Sequence, residues 1–492
     1  MNNQKLNDQE QVRLSKLEAL QKQKMNPYEI TKVNRTHTTA TFKKEFESGT
    51  KESLHECTTK VVLAGRIVGI RRTFMVLHDF FGRIQLYLNK NNHPEVFQYF
   101  NDYLDLGDVV HVEGTPMKTN TGELTLNVNK LVIVSKSLKT PPEKFHGIVD
   151  EEDRARKRYL DLVYNESSME AFKLRTRIIS LMRSYLDEQG FYEVETPVLQ
   201  PILGGANAKP FITKYNALKQ NFYLRIATEI PLKKLIVGGF EKVYEIGRIF
   251  RNEGMDATHN PEFTSIELYV AYGNMQTVMD ITENVIRFIA QKINKLQITA
   301  HDKVIDLSKP FKKASMVDLI KEATGIDFKK VKDTNEAIAL AKKHNVEFEK
   351  HQESYGHIVS LFFEKFCEDK LFEPTFVTGH PVDVSPLSKL DYSDPRFTER
   401  FELFINGKEF ANAFSELNDP IDQRNRFEAQ VLEKQKGNSE AVEVDYDFLE
   451  ALEYALPPTG GLGIGIDRLV MLFCEKSSIR DVLLFPQMKS LK

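Results

Sequence analysis

Lys242–Tyr272, KVYEIGRIFRNEGMDATHNPEFTSIELYVAY, is two β-type runs joined by a polar loop. On the outgoing run, alternation puts Phe263, Ser265, Glu267, Tyr269 and Ala271 on one face and Thr264, Ile266, Leu268, Val270 and Tyr272 on the other. The second face reads as core, and the first presents a carboxylate between aromatics. Arg251 ends the incoming run, where its planar fork can grip a phosphate at two points. A single arginine is more often a surface or salt-bridging residue, so its weight here depends on what surrounds it.

Downstream, Arg400–Asp419, RFELFINGKEFANAFSELND, carries the Asn-Gly signal of a type I′ hairpin at Asn406-Gly407. That turn would pair Ile405 with Lys408, Phe404 with Glu409 and Glu402 with Ala411. Glu402 and Glu409 become diagonal neighbours on one face, and two carboxylates so close repel unless a cation sits between them. Strict alternation puts Asn412, Phe414 and Glu416 on the opposite face unless a bulge near Ala411 intervenes. In Thr459–Phe473, TGGLGIGIDRLVMLF, the third glycine of a G-x-G-x-x-G loop would fall on Ile466 or Arg468, which excludes a dinucleotide fingerprint. No GxxxxGK[ST] loop occurs. A nucleotide site built from arginines on a sheet remains.

Upstream, five short β-type runs between Val61 and about Val134, separated by turn signals, suit a closed five-stranded OB-type barrel. The stretch after it, with Pro141-Pro142 and mixed charges, reads as a linker. A helix with Phe172, Ile178, Ile179, Met182, Tyr185 and Leu186 on its apolar side runs from about Ser168 to Glu188. Strand-type text continues to Tyr272. A helix from Met275, a lysine-rich helical insertion and a second strand block at Pro374–Asn418 follow. The second half is therefore expected to be α+β, an antiparallel sheet flanked by helices. The N-terminus reads as a surface helix with Val12, Leu14, Leu17 and Leu20 as its stripe. The expected domains are a helical extension (1–59), the barrel (60–137), a linker (138–165) and a sheet domain (166–492) with its insertion at about 315–372.

With 492 residues, 41% hydrophobic, 28% charged and a net charge of −3, the composition excludes a basic nucleic-acid coat, so any RNA contact is local. No run approaches a membrane span and the first residues lack an apolar leader, so a cytoplasmic protein without membrane contact is expected. Cys57, Cys367 and Cys474 stand far apart, as buried free thiols would. No Trp is present, so base stacking falls to Phe, Tyr, His or Arg.

Three stretches resemble the signature motifs of class II aminoacyl-tRNA synthetases: GFYEVETPVLQP (Gly190–Pro201), FRNEGMDATHNPEFTSIEL (Phe250–Leu268) and GLGIGIDR (Gly461–Arg468). With the barrel they resemble the aspartate, asparagine and lysine subclass. GGANAKPF (Gly204–Phe211), LRIATEIPLKKL (Leu224–Leu235) and FSELNDPIDQ (Phe414–Gln423) resemble its lysyl-tRNA synthetase branch. The resemblance runs from about Val61 nearly to the end.

Carried over by position, it implies that Arg251 meets the α-phosphate and Arg468 the γ-phosphate of a bent ATP. Glu253, His259 and Asn260 line the nucleotide, and Phe263 stacks on adenine. It assigns Mg2+ to Glu402 and Glu409, and the substrate lysine to Gly205, Glu229, Glu267, Tyr269, Asn412, Phe414 and Glu416. It also implies a homodimer through the first motif, with Pro197, and tRNA(Lys) as partner. The anticodon would be read at Phe74, Gln85 and Glu123, with Arg71 and Arg72 near phosphates. The link GIRRTFMVLHD between the first two barrel strands is several residues shorter than the family pattern. Three carboxylates around the amino acid favour a dication and repel aspartate. An aspartate- or asparagine-specific relative would need a cationic or amide-reading pocket, and a non-catalytic descendant would lack an arginine or a metal carboxylate. All those positions are filled.

Overall fold

The computed structural model describes residues 6–142, 148–206, 208–300, 302–435 and 444–490. They fall into two compact units, Met1–Met169 and Glu170–Lys492.

In the first unit, β1 (Val61–Arg71), β2 (Phe74–Asp79), β3 (Gly82–Leu88), β4 (Val109–Lys118) and β5 (Leu124–Ser135) close a barrel in the order β1-β2-β3-β5-β4. Alternation fills it: Met75, Leu77, Ile84, Leu86 and Leu88 point inward, while Phe74, Val76, Gln85 and Tyr87 are only partly covered. The expected N-terminal helix is α1 (Asp8–Lys22), started by a capping box at Asn7. Its stripe is narrower than expected. Leu17 and Leu20 are buried but Val12 is exposed, and Arg13 takes part in the buried side by donating to the carbonyls of Leu106 and Ser137, each at 2.9 Å. α2 (Thr39–Phe46) and α3 (Lys51–His55) follow, and α4 (Pro94–Tyr103) lies between β3 and β4 in the chain. The stretch read as linker contains two short helices, α5 (Glu151–Arg156) and α6 (Arg158–Tyr164). The charges that suggested a linker are partly inside, for Arg158 and Asp161 form a buried pair at 2.5 Å. The rest of that stretch, 143–147, lies outside the described residues.

The second unit is built on an eight-stranded sheet of β6 (Tyr192–Glu193), β7 (Lys242–Phe250), β8 (Glu262–Ala271), β9 (Lys312–Ser315), β10 (Thr375–Thr378), β11 (Arg400–Ile405), β12 (Lys408–Ser415) and β13 (Thr459–Gly465). Its order is β9-β10-β11-β12-β13-β8-β7-β6. The middle is antiparallel as expected, and a parallel strand closes each side, β9 on β10 and β6 on β7. α7 (Glu166–Glu188) and α9 (Met275–Lys292) pack on the face carrying Ile266, Leu268, Val270, Leu462 and Ile464. Tyr272, expected on that face, is exposed with φ of 61°, because the strand ends at Ala271 and the chain turns away. The insertion folds as α10 (Met316–Thr324), α11 (Thr334–Lys343) and α12 (Tyr355–Phe366) around a core of its own that includes Ile320, Phe328 and Phe362.

Two further departures matter for the site. The strand-type text before Tyr272 hides a helix, α8 (Glu229–Val237), because nine mostly apolar residues are too few for periodicity to separate strand from helix. In the β11–β12 hairpin, Asn406 (φ 53°) and Gly407 (φ 65°) make the expected turn with Ile405 opposite Lys408 and Phe404 opposite Glu409. Glu402, however, pairs with Asn412 and not Ala411, because the register shifts and Phe410 is left as an extra residue. That bulge removes the alternation problem: Phe410 and Ala411 both turn inward, and Glu409, Asn412 and Phe414 share one face.

Candidate active site

The exposed-side face of β8, β12 and β13 floors a cavity of about 480 Å³. Three glycines shape the floor. Gly461, Gly463 and Gly465 lie opposite Tyr269, Glu267 and Ser265 of β8, and Gly461 and Gly463 also face Phe414 and Asn412 of β12. They leave a strip of bare backbone between two rows of side chains. The strip is obligatory at Gly461, where a Cβ would run into Glu416 Oε1 and stand 2.6 Å from Tyr269 Cε1. This spacing of glycines, unsuited to a dinucleotide loop, thus leaves an open bed of main chain on the sheet.

Fourteen of the fifteen residues expected to serve ATP, metal or amino acid line this one cavity; Glu416 does not. At one end lie Arg251, Glu253, His259, Asn260, Phe263 and Arg468. The Arg251 guanidinium stands 5.2 Å from the centre of the Phe263 ring, and its buried Nε has no hydrogen-bond partner among the described residues. Arg468 donates to the Glu409 carbonyl at 2.7 Å and lies 3.4 Å from His259 Nε2. Asn260 is buried and donates to the Glu262 carbonyl and to Gln487 Oε1, both at 2.7 Å.

Sequence reasoning passed over what positions these groups. Asp467, buried beside Arg468, pairs with Arg175 of α7 and accepts from the Thr264 amide at 2.7 Å, fixing the first turn of α13 (Ile466–Phe473) against β8. Arg400 holds Glu402 Oε1 at 2.6 Å and Asn412 Oδ1 at 2.9 Å. Burial, and then the Glu402 charge, raise the Glu409 acid above the usual carboxylate range against the pull of Arg468, Arg400 and Arg251.

At the other end Glu267 accepts from the Thr228 amide at 3.1 Å and the Tyr269 hydroxyl at 3.2 Å. Burial and the nearby Glu229 charge push its pKa up to about 7. Gly205, at φ +87°, brings the wall within 3.2 Å of Glu229 Cβ for any added Cβ. Glu416 is completely buried behind Gly461, and burial drives its acid far above the usual range although Lys233 opposes this. Lys233 of α8, itself fully buried, has its Nζ 2.5 Å from Glu229 Oε1 and in contact with Glu416 Oε2. The surplus of negative charge expected from three carboxylates is therefore reduced by one from within the protein. No arginine or lysine pairs with Glu267 among the described ion pairs. Nothing in a single sequence marks Lys233, which sits in text that reads as a strand.

On the barrel, Phe74 and Tyr87 face each other across β2 and β3 with ring centres 5.0 Å apart. Neither is barrel core. Gln85 lies beside them, its side chain accepting from Thr125 at 2.8 Å, and Glu123 is exposed before β5. The three cysteines are free, with only Cys367 fully buried.

A floor of backbone between arginines and carboxylates, on a mostly antiparallel sheet, defines the class. Residues 150–489 match the model of the class II tRNA synthetases (D, K and N), and residues 61–134 match that of the OB-fold nucleic acid binding domain. The chain belongs to this family of aminoacyl-tRNA synthetases. It is 61% identical over 487 residues to a protein of Mycoplasmoides gallisepticum named "Lysine--tRNA ligase", covering 99% of each chain. Proteins of the same name from Malacoplasma penetrans and Mycoplasma pneumoniae are 60% and 58% identical, again over 99% of each chain. No helix among the described residues is long and apolar enough to cross a membrane.

Proposed function

We propose that the protein is a lysine–tRNA ligase: it activates L-lysine with ATP to lysyl-adenylate, releases pyrophosphate, and transfers the lysyl group to the 3′-terminal adenosine of tRNA(Lys). One observation carries the choice of amino acid. The cavity ends on Glu229 and Glu267, which suit a cationic guest and repel an acidic one.

In the first step the lysine carboxylate attacks the α-phosphorus as the bond to pyrophosphate breaks. Arg251 neutralises charge growing on the α-phosphate, Arg468 holds the γ-phosphate, and Phe263 stacks on adenine while Glu253, His259 and Asn260 line the nucleotide. Gly205, Tyr269, Asn412 and Phe414 shape the walls around the amino acid, and Glu416 backs them from behind the floor. In the second step a ribose hydroxyl of the tRNA attacks the activated carbonyl carbon, AMP leaves, and the adenylate phosphate takes the hydroxyl proton. No protein nucleophile is needed, so positioning and electrostatics carry the rate.

Glu402 and Glu409 fit a magnesium ion. They share a face, and burial and the Glu402 charge raise the Glu409 acid. Two carboxylates that leave the remaining positions to phosphates and water match the coordination of Mg2+. Bound there, the ion would neutralise phosphate charge.

The Phe74–Tyr87 pair, partly covered on the barrel surface with Gln85 beside it, supports anticodon reading, Glu123 being exposed before β5. A homodimer is supported by apolar side chains left exposed along the first motif and its neighbours, among them Tyr192 (67%), Ile212 (62%) and Phe240 (40%). A cytoplasmic location follows from this activity. The deciding experiment is ATP–pyrophosphate exchange with lysine, aspartate and asparagine in turn. Exchange that depends on lysine supports the assignment, and exchange no better with lysine than with aspartate overturns it.

A further inference from the structure

Lys233 is the one buried cation at the amino-acid end of the cavity among the described residues, and no step above uses it. It lies one turn after Glu229 on α8, with its side chain 0% exposed. Its Nζ contacts Glu229 Oε1 and Glu416 Oε2 and stands 5.5 and 5.7 Å from the centres of the Phe414 and Phe448 rings. Neither oxygen of Glu416 has a conventional hydrogen-bond donor among the described residues, so the ion contact is what compensates its burial. A carboxylate buried alone would protonate or move.

We propose that Lys233 is the built-in counter-ion of the amino-acid pocket. It cancels one of the three carboxylate charges gathered there and holds Glu229 and Glu416 in place. With the three acids ionised by the ammonium groups that enter, the pocket then balances a substrate that carries two of them. Lys233 is thus a positioning residue that sets specificity through Glu229, and this deepens the lysine reading on which it rests. A pocket with all three acids uncompensated would hold a proton in place of a second ammonium. One with a cation nearer Glu267 would favour a substrate with a single ammonium.

The groups that face Lys233 and its partners are Glu229 on the same helix, Glu416 after β12, and Glu267 and Tyr269 on β8. In Lys233→Met the apolar stem is kept and the charge removed. The KM for lysine is expected to rise about tenfold or more, with kcat and the KM for ATP within about threefold of the wild type, since the loss falls on binding of the amino acid. The variant's lysine KM should also vary with pH between 7 and 9 more steeply than that of the wild type, as a carboxylate pair that now holds a proton releases it. An unchanged lysine KM with an unchanged pH profile overturns the proposal, as does a parallel loss in both KM values and kcat.

Thermal unfolding without substrate decides the same point independently. An acid whose folded pKa is raised stabilises at low pH and loses that stability as pH rises through the folded value. The gap in Tm between wild type and Lys233→Met should therefore widen from pH 6 to pH 8.5, and a gap that does not change with pH overturns the counter-ion role. A wild type that exchanges with another amino acid and not with lysine refutes the assignment of substrate, while the unfolding measurement still judges Lys233.

Discussion

On the lysine-ligase reading proposed above, the single carboxyl of Glu267 ties the pH dependence of the protein to its substrate. Burial and the Glu229 charge raise it to about 7, and an ammonium is bound by the ionised form only. The KM for lysine should therefore rise as pH falls below about 7, which steady-state exchange between pH 6 and 8.5 will show. The sign for stability is opposite: the empty protein loses this contribution as pH rises from the ordinary carboxylate value of 4.5 through about 7. Glu267→Gln should cost about 1.5–3 kcal/mol in kcat/KM for lysine, the worth of a charge-assisted hydrogen bond. Gly461→Ala should lower lysine activation about 100-fold by displacing Glu416 and Tyr269, with the KM for ATP little changed. Residues of this kind were legible in the sequence where alternation alone placed them, as it placed Phe263, Glu267 and Tyr269 on the cavity side and Ile266, Leu268 and Val270 in the core. Arg175 and Asp467, 292 residues apart, meet only in three dimensions. No local pattern announces them.

Among elements, the β11–β12 hairpin shows what a one-residue irregularity is for. Its turn was readable because Asn-Gly adopts positive φ at both positions. Its bulge was not, since an extra Phe410 has no sequence signature and shows only as a conflict between alternation and the face required of Asn412 and Phe414. Deleting Phe410 removes the bulge and restores strict alternation with Ala411 inward and Glu409, Asn412 and Phe414 still on the cavity face. Lysine-dependent exchange should then stay within about tenfold of the wild type, with sheet content by circular dichroism retained, and a loss of about 100-fold or more would show that the strand had slipped. Replacing Gly407 with Ala keeps the register and strains one left-handed residue, so it should cost about 1 kcal/mol in denaturant stability with far less effect on exchange. α8 was missed for the opposite reason: nine residues of mostly apolar text satisfy either period.

For the whole molecule, two units with separate hydrophobic cores divide the work. Phe74→Ala on the barrel should raise the KM for tRNA by the worth of one stacked base, about 1–3 kcal/mol, and leave exchange, which needs no tRNA, unchanged. Measuring both reactions on one preparation checks the separation. Closure of the barrel and the makeup of the sheet could be read from strand spacing. The parallel strands at the sheet's sides could not, because β6 and β9 are two and four residues long. The glycine strip carries a last consequence. A binding surface made of main chain cannot be remodelled by exchanging side chains, for at Gly461 any replacement obstructs it. Evolution or a designer wishing to change the amino acid must work on the flanks, at Glu229, Lys233, Asn412 and Phe414. Related enzymes with other substrates would then differ in those walls and share the same bare bed of main chain.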